Sequence, residues 1–268
     1  MPSNFQTVPH LSSTLAVTLL CACVSWNEES IPRSHAHNDY KHPRPLLDAL
    51  DEGFASVEAD VHLIAGDLLV AHDADEVVHG RTLQKLYLDP LRERVQVNRG
   101  SIHGPRRPFI LLVDIKTEAE STYRVISEVL KAYRDILTSF TSNQTQRGPV
   151  TVILSGNRPI ETVAQESHRL VGLDGRLPDL ARNDLSAHLY PLISDNWKTH
   201  FKWRGSGPIS PEEVEKLTSL VAQAHQRGCM IRFWANPDTS AYWELALASG
   251  VDLINTDKLQ ELADFLAE

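Results

Sequence analysis

The sequence is short of positive charge, of cysteine and of glycine-rich loops, and each shortage removes a class of protein. Lys and Arg total 26 against 35 Asp and Glu, a formal net charge of −9. Nucleic-acid surfaces carry basic patches, so no nucleic-acid partner is expected. A phosphate-bearing substrate stays compatible, because one bound divalent cation changes the local field. Three cysteines, Cys21, Cys23 and Cys229, supply neither a disulfide framework nor a zinc-type cluster. The chain has no Gly-rich phosphate loop, which weighs against the rival fold, a doubly wound open sheet. It also shows no internal repeat and no low-complexity segment. The apolar run from Leu11 to Val24 is shorter than a membrane span requires.

That run has signal-peptide length, although the residues before it carry no Lys or Arg. Leu20-Cys21-Ala22-Cys23 loosely resembles a lipoprotein processing box, with Cys23 as the lipidated residue. The expectation is a leader over residues 1–30 and one folded domain over 31–268. Export, to the outside or to the cell envelope, is the favoured reading of the leader. Lipidation and a non-exported apolar segment are the alternatives. Membrane association would then come through the leader or through a lipid substrate.

What is present is an alternation of apolar runs and amphipathic stretches. Strands are expected at Ile31–His37, Ser56–Val61 with an extension at Leu68–His72, Pro108–Ile115, Val150–Leu154, Cys229–Trp234 and Val251–Asn255. Weaker strand signals lie at Leu170–Leu173 and Leu189–Ile193. Helices are expected at Arg44–Glu52, Thr82–Val95 with a break at Pro90, Ser121–Leu137, from Ser210 to Gly228, Ser240–Ala248 and after Asp257. Ser210-Pro211-Glu212-Glu213 reads as a capping box with Pro at the first helical position. Ser139–Gly148 reads as a loop, and 175–207 is the least legible region. About eight strands, each followed by a helix or helical turn, predict a single TIM (β/α)8 barrel.

Barrel sites form at the C-terminal ends of the strands. Polar residues at those ends come in i, i+2 pairs: His35 and His37, Glu58 and Asp60, Asp114 and Lys116, Arg232 and Trp234. Members of such a pair share one face of a strand. Val57, Ala59 and Val61 take the packed face of the second strand, so Glu58 and Asp60 point into the barrel. Buried acids need a cation or donors, and paired hard oxygens suit Mg²⁺ or Ca²⁺. Acids, imidazoles and cations at one mouth suit metal-assisted attack on a phosphate ester. Arg232 binds phosphate or pairs with a barrel acid. Trp234 stacks on substrate or packs the rim. Asn38, Asp39 and Tyr40 touch ligand or cap the following loop. Asp73 is a candidate for orienting His72. His62, His79, His103 and His168 are expected at the surface.

These residues also resemble a known family. His35 through Glu58-Ala59-Asp60-Val61 to Val70-Ala71-His72-Asp73, then Leu111 to Lys116, Arg232 to Asp238 and Gly250 to Asp257, resemble the phospholipase-C-like phosphodiesterase superfamily. Its best-known members are the glycerophosphodiester phosphodiesterases. HAHNDYKHPRPLLDAL, TLQKLYLDPL and ILSGNRP resemble the subgroup named after altered inheritance of mitochondria protein 6. The resemblance implies one divalent cation held by Glu58, Asp60 and Asp114, the last in place of the usual Glu. It implies phosphate binding by Lys116 and catalysis by His72 and a strand-one histidine. His35, with Asn38 three residues on as in the sphingomyelinase D branch, is favoured, and His37 shares its face. The Arg of the usual H-R-G motif and the E-N-T segment are absent. The implied activity is phosphodiester hydrolysis or lyase cleavage of a glycerophosphodiester or phospholipid-like substrate. The alternatives are a barrel that binds a phosphorylated head group without turnover and a metal-dependent hydrolase of another bond.

Overall fold

Phe109–Ile115 shows in one strand how the chain is organised. Its side chains alternate between two separate apolar clusters. Phe109, Leu111, Val113 and Ile115 face the layer between strands and helices. Ile110 and Leu112 face inward, where they meet Ile153, Leu192, Met230 and Leu253. A strand that is apolar on both faces is what a parallel strand covered on both sides requires.

The structure, a computed structural model, describes residues 34–103 and 108–268 together with Met1. The expected leader, with Cys21 and Cys23, lies outside the described residues, as does the start of the first expected strand. The described strands are β1 Ser34–Ala36, β2 Ser56–Ile64, β3 Asp67–Val70, β4 Phe109–Ile115, β5 Ser139–Phe140, β6 Thr145–Gln146, β7 Val150–Gly156, β8 Val171–Gly175, β9 Leu192–Asn196, β10 Met230–Trp234 and β11 Ile254–Thr256. The helices are α1 Leu47–Asp51, α2 Asp89–Val97, α3 Ala119–Lys131, α4 Ile160–Gln165, α5 Trp197–His200, α6 Pro211–Gln226, α7 Ser240–Ser249 and α8 Leu259–Ala267.

Eight strands run parallel in the order β10-β9-β8-β7-β4-β2-β1-β11. The ends of that order meet where Arg232 bridges Leu253 and the Leu253 amide donates to Ile231 O at 3.3 Å. The result is the expected TIM barrel. The six inward apolar residues plug its lower half. Above them the inward positions turn polar: His35, Glu58, Asp60, Asp114, Ser155, Asp174, Ser194, Arg232 and Asn255.

Several local expectations are corrected. Leu68–His72 does not extend β2. It returns antiparallel, with Val61 opposite Val70 and Ile64 opposite Asp67. The two-residue turn between them holds Ala65 at φ 51° and Gly66 at φ 91°, as a type I′ hairpin demands. Pro90 breaks nothing, because a π-helical turn at Gln84–Leu88 leads into α2 and puts Pro90 in the first helical turn. A proline there forfeits no helical hydrogen bond. The expected loop at 139–148 contains the β5–β6 hairpin. The illegible stretch is held by aromatic packing rather than by a long helix. Trp197 is fully buried, stacks on Phe201 at 4.0 Å and donates from Nε1 to Trp203 O at 2.9 Å. Ser210 caps α6 as expected, accepting from the Glu213 amide at 3.2 Å. The Glu213 carboxylate does not return to Ser210. It accepts from the backbone amides of Lys202 and Trp203 instead.

The β1–α1 connection contains a buried acid. Asp39 accepts from the Leu46 amide at 2.5 Å and from the Tyr87 hydroxyl at 2.9 Å, while its Oδ1 has no partner. Burial is the main cause that pushes its pKa up to about 6. A carboxyl raised in the folded state binds its proton there before it does in the unfolded chain. Its contribution is therefore fully present below the unfolded value, near pH 4, and is lost as pH rises through about 6. Urea denaturation of the wild type and Asp39→Asn should show this. The stability difference, wild type minus variant, should fall by roughly 2–3 kcal/mol between pH 4 and 7. A pH-independent difference would mean that Asp39 is already ionised without penalty.

Candidate active site and metal centre

The strand ends place the candidate acids by register alone. Asp60 on β2 is opposite Asp114 on β4, which is opposite Ser155 on β7. Glu58 lies one inward step below Asp60. Ligand atoms of Glu58, Asp60 and Asp114 lie within 4.8 Å of one another. Two cations hold the cluster together. Lys116 Nζ is 3.0 Å from Asp60 Oδ2 and 3.3 Å from Asp114 Oδ1. Arg232 Nη1 is 2.8 Å from Glu58 Oε2.

These surroundings set the charges. Burial alone would raise the Glu58 pKa, but the Arg232 guanidinium and the His35 hydrogen bond hold it well below the usual range. Asp114 goes the other way. Burial pushes it up to about 6, against the pull of Lys116 and with the repulsion of Asp60 and Glu58 added. Burial lowers the Lys116 pKa, but Asp114 and Asp60 more than offset that and raise it overall. Asp60 is fully buried, and its Oδ1 has no hydrogen-bond partner. A buried carboxylate oxygen without a donor is costly unless a cation meets it. An all-carboxylate set with one orphaned oxygen and one strongly repelled acid fits a hard divalent cation such as Mg²⁺ or Ca²⁺.

The two strand-one histidines differ in depth. His35 is fully buried, with Nδ1 2.7 Å from Ser56 Oγ and Nε2 3.2 Å from Glu58 Oε2. Arg232 Nη1 also contacts Nε2. Burial first, then the Arg232 charge, lowers the His35 pKa to about 4. The expectation that His35 is the strand-one proton carrier conflicts with this enclosure, because both ring nitrogens are spoken for inside the barrel. His37 is the more accessible imidazole, half-buried with 27% of its side chain exposed and Nδ1 2.8 Å from Asp257 Oδ1. Burial lowers its pKa, but the Asp257 hydrogen bond and the Glu58 charge more than offset that, so it is raised overall.

His72 stands two residues past the end of the return strand of the hairpin, and its side chain is 43% exposed. Its Nδ1 is 3.0 Å from Asp60 Oδ2, so Asp60 orients it, not Asp73. Asp73 is exposed and caps a helical turn at Ala74–Glu76. His62, expected at the surface, is buried and holds the His72 carbonyl at 3.2 Å. His103, also expected there, is half-buried and bonded to Phe54 O at 2.7 Å.

Arg232 is not free to meet a substrate. It is almost fully buried, and its charge is spent on Glu58. Trp234 is half-buried at the end of β10, opposite Asn196. Asn38 takes a left-handed conformation at φ 47° and accepts from the Tyr40 hydroxyl at 2.7 Å. Its amide lies 3.4 Å from His37 Nδ1. Tyr40 is the residue that sequence reasoning undervalued. Its hydroxyl is also 2.8 Å from Asp60 Oδ2 and 3.3 Å from His72 Nδ1. Polar side chains therefore stand in an unbroken row from His37 past Asn38 and Tyr40 to Asp60 and His72. The contiguous Asn38-Asp39-Tyr40 after the histidines was the available signal.

The profile of the AIM6-like phosphodiesterase domain matches residues 27–174. The chain belongs to that family. Among its relatives is the altered inheritance of mitochondria protein 6 homolog of Arthroderma benhamiae, 28% identical over 83% of this chain and 80% of that protein. Altered inheritance of mitochondria protein 6 of Eremothecium gossypii is 29% identical over 88% of this chain and 69% of its own length. The fold is similar to that of a glycerophosphodiester phosphodiesterase from Agrobacterium tumefaciens, with a TM-score of 0.51 and 16% identity over 89% of this chain and 98% of that one. It is also similar to a calcium-dependent phosphoinositol-specific phospholipase C from a Pseudomonas species, with a TM-score of 0.54 and 11% identity over 85% and 88% of the two chains. The domain is thus a phosphodiesterase-type barrel.

Gly156 is the tightest point of the centre. It has φ +65°, and a Cβ there would lie 2.2 Å from Asp114 Oδ1 and 2.5 Å from Ile115 O. Gly156→Ala should displace the Asp114 carboxylate and weaken divalent-cation binding by roughly 10- to 100-fold. Calorimetric titration with Ca²⁺ or Mn²⁺ reads this, and unchanged affinity would remove Asp114 from the ligand set.

Proposed function

We propose that this protein is a divalent-metal-dependent phosphodiesterase that cleaves a glycerophosphodiester or lipid head-group diester by acid–base catalysis between His37 and His72. What supports this most is the convergence at one barrel mouth of three carboxylates with two solvent-accessible imidazoles, with Asn38 and Tyr40 between them. Membership of a phosphodiesterase-domain family points the same way. Glu58, Asp60 and Asp114 would hold the cation, Mg²⁺ or Ca²⁺. Its contribution when bound is to neutralise charge on a non-bridging phosphate oxygen.

The remaining steps belong to the chain's own side chains. Lys116 adds a fixed positive charge beside the phosphate position. In both histidines Nδ1 is tied to a carboxylate, at 2.8 Å for His37 and 3.0 Å for His72, which leaves Nε2 to meet the substrate. A carboxylate on Nδ1 fixes the tautomer and strengthens Nε2 as a base. His37, whose charged form is favoured by Asp257, delivers a proton to the leaving oxygen. His72 takes a proton from the attacking hydroxyl, which belongs either to the substrate, giving a cyclic phosphate, or to water. Tyr40 holds His72 and Asp60 in register, and His35 braces Glu58 from below.

Chelation should abolish turnover of model phosphodiesters, and so should Glu58→Gln in a protein that stays folded. Full activity in excess EDTA would end the metal assignment. His37→Ala and His72→Ala should each lower kcat by about 10²–10⁴, with a smaller effect on KM. The double variant should be little worse than the poorer single one. Asp257→Asn removes the partner that favours charged His37, so the alkaline limb of the pH–rate profile should move to lower pH. If His35→Ala is dead while His37→Ala turns over normally, the donor is the buried histidine. Head-group binding without turnover of any diester would mark a barrel that has lost catalysis.

A further inference from the structure

Beside the metal centre, the loop after β7 carries a group that the proposed chemistry does not use. Ser155-Gly156-Asn157-Arg158 has a structural task at three of its four positions. Ser155 donates to Asp174 Oδ2 at 2.8 Å. Gly156 makes room for Asp114. The Asn157 amide ties down the carbonyls of Lys116 and Thr117, at 3.3 and 3.1 Å. Arg158 is different. Its guanidinium makes one hydrogen bond, from Nη1 to the Gly156 carbonyl two residues back at 3.1 Å. Its Nε is buried and has no partner. Among the described residues, no carboxylate lies within ion-pair distance of it.

A second guanidinium stands close by. Arg176, at the end of β8, is fixed from Nη1 to Asp174 Oδ2 at 2.8 Å, and Ser155 and Ser194 share that carboxylate. Burial and then the Arg176 charge push the Arg158 pKa down, so the charged form of Arg158 is held at a cost. Asp174 and Asp179 offset this only in part and form no ion pair with it, so this half-buried arginine leaves most of its five donors unspent. It lines an open cavity of about 560 Å³, whose wall also includes Lys116 and Gly156 of the metal centre. The acid on that wall, Glu118, is committed elsewhere. It caps α3, accepting from the amides of Glu120 and Ser121 at 3.0 and 2.8 Å.

We propose that this cavity is a subsite for a second anionic group on the substrate, a phosphomonoester on the head group beyond the scissile diester, and that Arg158 recognises it. This rests on the reading of the adjoining centre as a phosphodiesterase. A dianion is preferred to a carboxylate because the Lys116 ammonium shares the cavity wall with the Arg158 guanidinium. It also meets the planar donor edge of Arg158, which suits a bidentate oxyanion. The protein is acidic overall, so the selectivity has to come from this local cluster rather than from long-range attraction.

The test uses glycerophosphoglycerol and the same diester bearing a terminal phosphomonoester. With the full chain and added Mg²⁺ or Ca²⁺, kcat/KM should favour the phosphorylated diester. Arg158→Gln should lower that preference by about 10- to 100-fold and leave the plain diester unchanged. Arg158→Lys, with charge but no fork, should fall between them. Calorimetric binding of both ligands to His72→Ala gives the same comparison without turnover, and melting temperatures check the fold of each variant. Turnover with no preference, or with a preference indifferent to Arg158, overturns the subsite and leaves the phosphodiesterase reading standing. Arg158-dependent binding without turnover keeps the subsite and overturns that reading. Binding of neither ligand overturns the subsite.

Discussion

Three carboxylates at the mouth of one barrel repel one another, and the two cations that balance them decide how the other strand ends are arranged. Lys116 bridges Asp60 and Asp114. Arg232 crosses from β10 to Glu58 on β2 and closes on His35. The Lys116–Asp60 and Arg232–Glu58 pairs each join different strands, so the same contacts that satisfy the charges also fasten the barrel. A buried ion pair gains little net stability, but losing one partner strands the other charge in a poor solvent. The polar layer is therefore an all-or-none unit resting on an apolar plug.

That division into a dry lower half and a charged upper half explains the two kinds of histidine. His35 and His37 share a face by parity, yet one lies within the layer and the other above it. Depth along the barrel axis turns one imidazole into a neutral brace for Glu58 and leaves the other open to solvent. The same logic separates Arg232 from Arg158. Both are arginines at strand ends, but the first is neutralised inside the layer and the second stands at its rim.

Much of this was legible in the sequence, because a strand's two-residue period is a strong signal. The pairs Glu58/Asp60 and Asp114/Lys116 followed from it, as did the double-faced apolar run of β4. What it could not give was distance across the barrel. The Arg232–Glu58 contact joins residues 174 positions apart, and no local pattern announces it. The hairpin was missed because its turn uses Ala65 with φ 51°, where Asn or Gly would have signalled a type I′ turn. The region around Trp197 was opaque because tertiary aromatic stacking, not helical periodicity, orders it. The histidine expectations failed for a related reason: His62 lies on β2 beyond the run that parity had marked as buried, and His103 is caught by a carbonyl of a distant loop.

The hairpin has one further consequence. Most residues at the mouth are borne by parallel strands whose positions are fixed on both sides. His72 instead follows directly on an arm, β3, whose alignment is set by pairing with β2 and by a two-residue turn. Such an arm has no intermediate settings. A slip of one residue would turn the imidazole to the opposite face and bring Asp73 or Ala71 into its place. The geometry of this side of the mouth is thus digital rather than elastic, and small insertions at the turn would act on it as a switch, not as a dial.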